Sequence, residues 1–174
     1  GSLSGRSGAT VNIENSIFNL GGDDTDDADF AGIITTTDAF GDPGAGAGGV
    51  FKIGSGSQRL SGANTFVTPN IGVLQGTLIG GSNTAFGDAF NVINLGGIPF
   101  VSINPVDGRV ELLLDGTADA VVNPVVMNNF DGNDEGITVI GTRATSGTYG
   151  FATGGTVSLY QDIATNVLLQ AEGD

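Results

Sequence analysis

A chain of 174 residues with 31 Gly, 39% hydrophobic and only 14% charged residues is long enough for one domain with its own core, too apolar for ordinary disorder and too glycine-rich for a helical bundle. Five Lys+Arg against 19 Asp+Glu give a net charge of −14, which repels phosphate backbones and anionic lipid, so no nucleic acid and no membrane insertion is expected. Cysteine and histidine are absent, which excludes disulfide staples, thiolate zinc sites, imidazole ligands and Ser-His or Cys-His nucleophile systems.

Short runs of Val, Ile, Leu, Phe and Thr between turn residues predict strands at 10–18, 31–36, 49–53, 57–60, 65–67, 72–74, 77–79, 90–95, 100–103, 109–114, 121–127, 137–140, 156–160 and 166–169. No segment holds a helical period. Gly21-Gly22, Gly80-Gly81, Gly96-Gly97, Asp115-Gly116 and Gly154-Gly155 supply corners between them. Strands this short and unevenly punctuated favour an all-β fold of the parallel β-solenoid or β-helix-like kind, where each strand is paired above and below, over an antiparallel sandwich. Asp107-Gly108 fits a two-residue turn and predicts one antiparallel hairpin between 100–103 and 109–114.

Composition divides the chain at about residue 48. Residues 1–48 read as a strand region with acidic and Gly/Ala-rich loops that docks or exchanges strands, and 49–174 as the solenoid-like domain. No basic segment leading into an apolar one opens the chain, and no apolar run reaches spanning length. An exported protein of this sequence has already lost its signal peptide.

Chemistry-bearing clusters are few. Asp23, Asp24, Asp26, Asp27 and Asp29 concentrate hard oxygen ligands, and Asp131, Asn133, Asp134 and Glu135 alternate carboxylate and amide oxygens around a turn, so both are candidate structural calcium sites; a solvated acidic loop is the competing reading. Asp107, Glu111 and Asp115 stand four apart, more than about 10 Å per step along a strand, too far for a retaining glycosidase pair within one strand. Gly54-Ser55-Gly56-Ser57 lacks the Lys-Ser/Thr that completes a phosphate loop. The ten phenylalanines, Phe51, Phe66, Phe86 and Phe90 among them, read as core residues stacked inside the coils.

The stretch GVFKIGSGSQRLSGANTF at 49–66, continuing to GTL at 76–78, resembles the autotransporter-associated β-strand repeat of bacterial passenger domains, with LSGANT at 60–65 matched without a gap and Phe66 where Tyr is usual. The resemblance is strong over about thirty residues and departs from the repeat at Val67-Thr68-Pro69-Asn70. It implies a parallel β-solenoid that is extracellular or on a bacterial cell surface, serving as a stalk or adhesive fibre, with no catalytic residues. The resulting expectation is a non-enzymatic structural subunit that self-assembles end to end through open strand edges into a homopolymer. A passenger-domain fragment of a surface adhesin, binding a host or matrix glycan or protein, is the alternative; a polysaccharide-acting β-helix enzyme is the third.

Overall fold

The structure, a computed structural model, describes residues 1–14, 16–36, 48–68, 70–96, 109–115, 118, 121–129, 137–142, 157–161 and 167–171. Among them are no helix and the strands β1 (Thr10–Asn12), β2 (Ile17–Leu20), β3 (Ala28–Phe30), β4 (Ile33–Thr35), β5 (Gly49–Lys52), β6 (Ser57–Leu60), β7 (Asn70–Val73), β8 (Gly76–Gly80), β9 (Val92–Leu95), β10 (Arg109–Leu114), β11 (Val125–Asn129), β12 (Ile137–Thr142), β13 (Val157–Gln161) and β14 (Val167–Ala171). The protein is all-β, and every pairing among the described strands is parallel. Two six-stranded sheets run in the order β14-β12-β10-β8-β6-β3 and β13-β11-β9-β7-β5-β2, beside the short pair β1-β4.

From β5 onward consecutive strands alternate between the two large sheets, so each strand pairs with the second one after it. Gly49 of β5 registers with Asn70 of β7, and Asn70 with Val92 of β9, so each circuit of the chain lays one strand on each sheet. Ahead of β5, two strands enter the same sheets: β2 pairs with β5, and β3 with β6. Ahead of β3, Gly5 makes a parallel bridge to Phe30, and β1 covers β4.

The strand alternation explains the core. In one sheet Leu20, Lys52, Val73, Leu95 and Met127 form a single register row, and Phe18, Val50, Ile71, Ile93 and Val125 form the parallel row two residues away. In the other sheet Leu78 registers with Leu112 and Leu112 with Ile140. The apolar members of these rows join one cluster between the sheets. Burying such side chains stabilises the fold by about 1.5–3 kcal/mol each. Phe51 points to the other side of its strand and packs with Leu74 and Ile53 in a small second cluster.

Five expectations need correction. The single strand expected at 10–18 is two, β1 and β2, because the chain turns between them: Glu14 takes a positive φ of 43° and the Ser16 amide donates to Ile13 O. A strand, β3, lies inside the acidic run, where Ala28 and Phe30 face inward and Asp29 outward. Residues 65–67 form no strand, since the amides of Val67 and Thr68 are bonded by side chains, Thr36 Oγ1 and Asn91 Oδ1. The antiparallel hairpin has no place on β10, whose two edges are taken in parallel by β8 and β12; Asp107, Gly108 and the expected strand at 100–103 lie outside the described residues. Phe90 is 82% exposed on a turn, whereas Phe30, Phe51, Phe66 and Phe86 are buried.

Candidate functional site

The polar groups of the described coils gather in three places. The first is the corner between β8 and β9 and its counterparts, where buried asparagines replace strand pairing. Asn64 Oδ1 accepts the Ile34 amide at 2.8 Å and its Nδ2 donates to Ala85 O at 2.7 Å, so one side chain links the coil before to the coil after. Asn91 accepts the Thr68 amide at 2.8 Å and donates to Phe66 O and Phe86 O. Asn123 donates to Asp88 O and Asn91 O. A buried amide or carbonyl left unpaired costs about 1–3 kcal/mol, so these side chains do the work that ladder bonds do within the sheets.

This gives the LSGANTF segment a local reading. Leu60 and Phe66 are core residues and Asn64 is the bridge. Gly62 lies against the preceding coil so closely that a Cβ there would stand 1.7 Å from Gly32 O, and only glycine fits. Every position so placed serves coil stacking.

The second place is the outer face of the sheet that contains β6. Arg59 donates to Asp29 Oδ2 at 3.1 Å and to Asp115 Oδ2 at 2.5 Å, while Ser61 Oγ donates to Asp29 Oδ1. Glu111 accepts from Thr77 Oγ1 at 2.5 Å and pairs with Arg109. Glu111 and Asp115, weighed above as acid catalysts, are each engaged by an arginine, an arrangement suited to tying strands together rather than to delivering a proton.

The third place is the acidic loop. Asp23, Asp24, Asp26 and Asp27 are exposed and Asp29 is half-buried. Asp23 accepts from Ser2 Oγ and from the Thr25 amide, and its bonds with Ser2, the backbone one foremost, hold its carboxyl down at about 2. Asp24 Oδ1 accepts the Ser55 amide at 2.6 Å, and the Asp27 amide donates to Ser57 Oγ at 2.7 Å. The loop is thus laid across the 53–57 turn of the next coil. Among the described residues no three carboxylates converge on a point that would hold a metal ion. Asp131, Asn133, Asp134 and Glu135 lie outside the described residues.

Beneath this loop is the group that sequence reasoning missed. Lys52, the only lysine of the chain, is 1% exposed and occupies an inward position in an otherwise aliphatic row. Its Nζ donates to Ile53 O at 2.8 Å, Gly54 O at 2.7 Å and Gln75 O at 3.3 Å. Burial pushes the ammonium down to about 8, against the pull of Asp24, Asp26 and Asp23. The sequence signal was there in outline: one lysine at an alternate position of a buried strand in a chain of net charge −14. Comparison of the chain with protein-family models, curated proteins and solved structures finds no match.

Proposed function

We propose that the protein is a non-enzymatic structural subunit of an extracellular or bacterial cell-surface filament, a β-solenoid of the autotransporter-repeat kind whose copies stack end to end. The observation that carries this reading is the topology: two parallel sheets laid down by one winding path, in which every inner strand is paired on both edges and the sheets grow along a single direction. A body of this kind extends by repetition, and its stability accumulates from neighbouring coils.

Further support comes from how the polar residues are used. Asn64, Asn91 and Asn123 tie coils together, and Arg59, Asp29 and Asp115 brace a sheet face. Among the described residues β2 pairs only with β5, leaving its outer edge without a strand, and Ile17 at its start is 61% exposed. Such an edge is a template for an added strand, here one from a second copy. A net charge of −14 would hold laterally adjacent filaments apart in solution.

Negative-stain electron microscopy of the purified chain across a concentration series tests this. Regular unbranched filaments lengthening with concentration are expected. Uniform single particles at every concentration would move the assignment to the adhesin reading, in which exposed Phe90 marks a surface for a glycan or protein.

A further inference from the structure

The acidic loop and the buried lysine form one unit. Lys52 enters the core row between Leu20 and Val73, then bends out of it so that its ammonium reaches the corner after β5. Two of its acceptors, Ile53 O and Gly54 O, belong to that corner, and the third, Gln75 O, belongs to the equivalent corner one coil further on. An ammonium has three donors and no acceptor, so three carbonyls satisfy it completely. The preceding coil closes the site. Gly21, at a φ of 84°, stands so near that a Cβ there would lie 2.9 Å from Nζ and 2.8 Å from Ile53 O. Three successive coils therefore meet around one positive charge.

The carboxylates lie over the same place. Asp24 is fixed by its bond from the Ser55 amide, its own amide donates to Gly21 O, and Asp23, Asp24 and Asp26 all act electrostatically on Lys52. Backbone carbonyls surrounded by carboxylates are the ligands a hard cation such as calcium takes. The ion pairs of the described residues involve Arg59 and Arg109, so Lys52 meets these carboxylates through their field rather than by contact, as a cation in an inner site does with an outer ring of charge.

We propose that Lys52 is the resident cation of the Asp23–Asp26 loop: its ammonium fills a carbonyl-lined site joining three coils, in the position a bound metal ion would take, so that this loop folds and stays folded without metal. Lys52 plays this part in a monomer and in a filament alike.

Because Lys52 is the only lysine, a chain labelled with 15N at the lysine side chain gives one ammonium resonance. The expected result is a signal protected from solvent exchange at neutral pH, together with backbone amides of Asp24, Thr25 and Ser55 that do not move when millimolar calcium is added. Lys52→Met is expected to shift or broaden those three amides in metal-free buffer. Saturable calcium-induced shifts of these amides in the unaltered chain, an ammonium signal lost to rapid exchange, or a folded Lys52→Met chain whose loop amides superpose on the original would each overturn the assignment. If Lys52→Met does not fold, the two measurements on the unaltered chain decide the matter.

Discussion

Replacing Asn64 by alanine removes both halves of a bridge between coils. The side chain is buried, with Oδ1 on the Ile34 amide at 2.8 Å and Nδ2 on Ala85 O at 2.7 Å, so Asn64→Ala strands one donor and one acceptor in the interior. At about 1–3 kcal/mol for each unpaired group, the loss is about 2–6 kcal/mol, the lower end applying where water enters the vacated space. Asn64→Asp keeps the acceptor for Ile34 but sets a second oxygen against Ala85 O, and it is expected to cost at least as much. The neighbouring Thr65 is the control. It is exposed and its hydroxyl donates only to that of Thr35, so Thr65→Ala is expected to stay within about 0.5 kcal/mol. In urea, with a slope of about 1–3 kcal/mol/M, a loss of about 3 kcal/mol lowers the midpoint by about 1–3 M. An Asn64→Ala midpoint coinciding with that of Thr65→Ala would refute the bridging role.

Other outcomes follow from the same geometry. The folded-state value of Lys52 is lowered from 10.5 to about 8, so between those limits the unfolded chain holds the proton that the folded chain has released, and this group makes stability rise with pH across that window. The rise is at most about 3 kcal/mol and should be missing from Lys52→Met, as the difference between the two pH-stability profiles will show. Asp115→Asn weakens the strap that Arg59 makes to Asp115 across the sheet; both side chains are partly exposed, so a loss of about 0.5–1.5 kcal/mol, shrinking in high salt, is expected in denaturant titration. Phe66→Ala should cost about 3–5 kcal/mol by opening a core cavity, whereas Phe90→Ser should change stability by less than about 0.5 kcal/mol, a contrast read by thermal unfolding. Gly62→Ala forces a methyl group onto Gly32 O and is expected to abolish cooperative unfolding of the described coils, measured by circular dichroism.

Much of the fold was legible because the strands are short runs of β-branched and aliphatic residues between turn residues. The expected strands at 57–60 and 109–114 coincide with β6 and β10, and the short, unevenly punctuated runs favoured the parallel arrangement over an antiparallel sandwich. What stayed hidden depends on register, which a single sequence does not carry. Alternation alone leaves undecided whether Phe51 or Lys52 faces inward; pairing with Leu20 and Val73 puts Lys52 in the core row and sends Phe51 to the small cluster with Leu74. β3 was obscured because Asp29, between Ala28 and Phe30, made a strand look like the end of a solvated acidic run, until Arg59 and Ser61 are seen to receive it. The acidic loop itself was visible as a cluster of charge, but the buried ammonium under it was not, since its inward placement depends on strand register and one of the three carbonyls that hold it, Gln75 O, comes from the next coil.

Filament formation by coil stacking is tested most directly by cryo-electron microscopy of the chain at its highest soluble concentration, read through the power spectrum. Filaments are expected whose strands lie across the axis, with a layer line along the axis at about 4.7–4.9 Å, the spacing of paired strands. Monodisperse particles, or fibres whose strand spacing lies perpendicular to the axis, would contradict it.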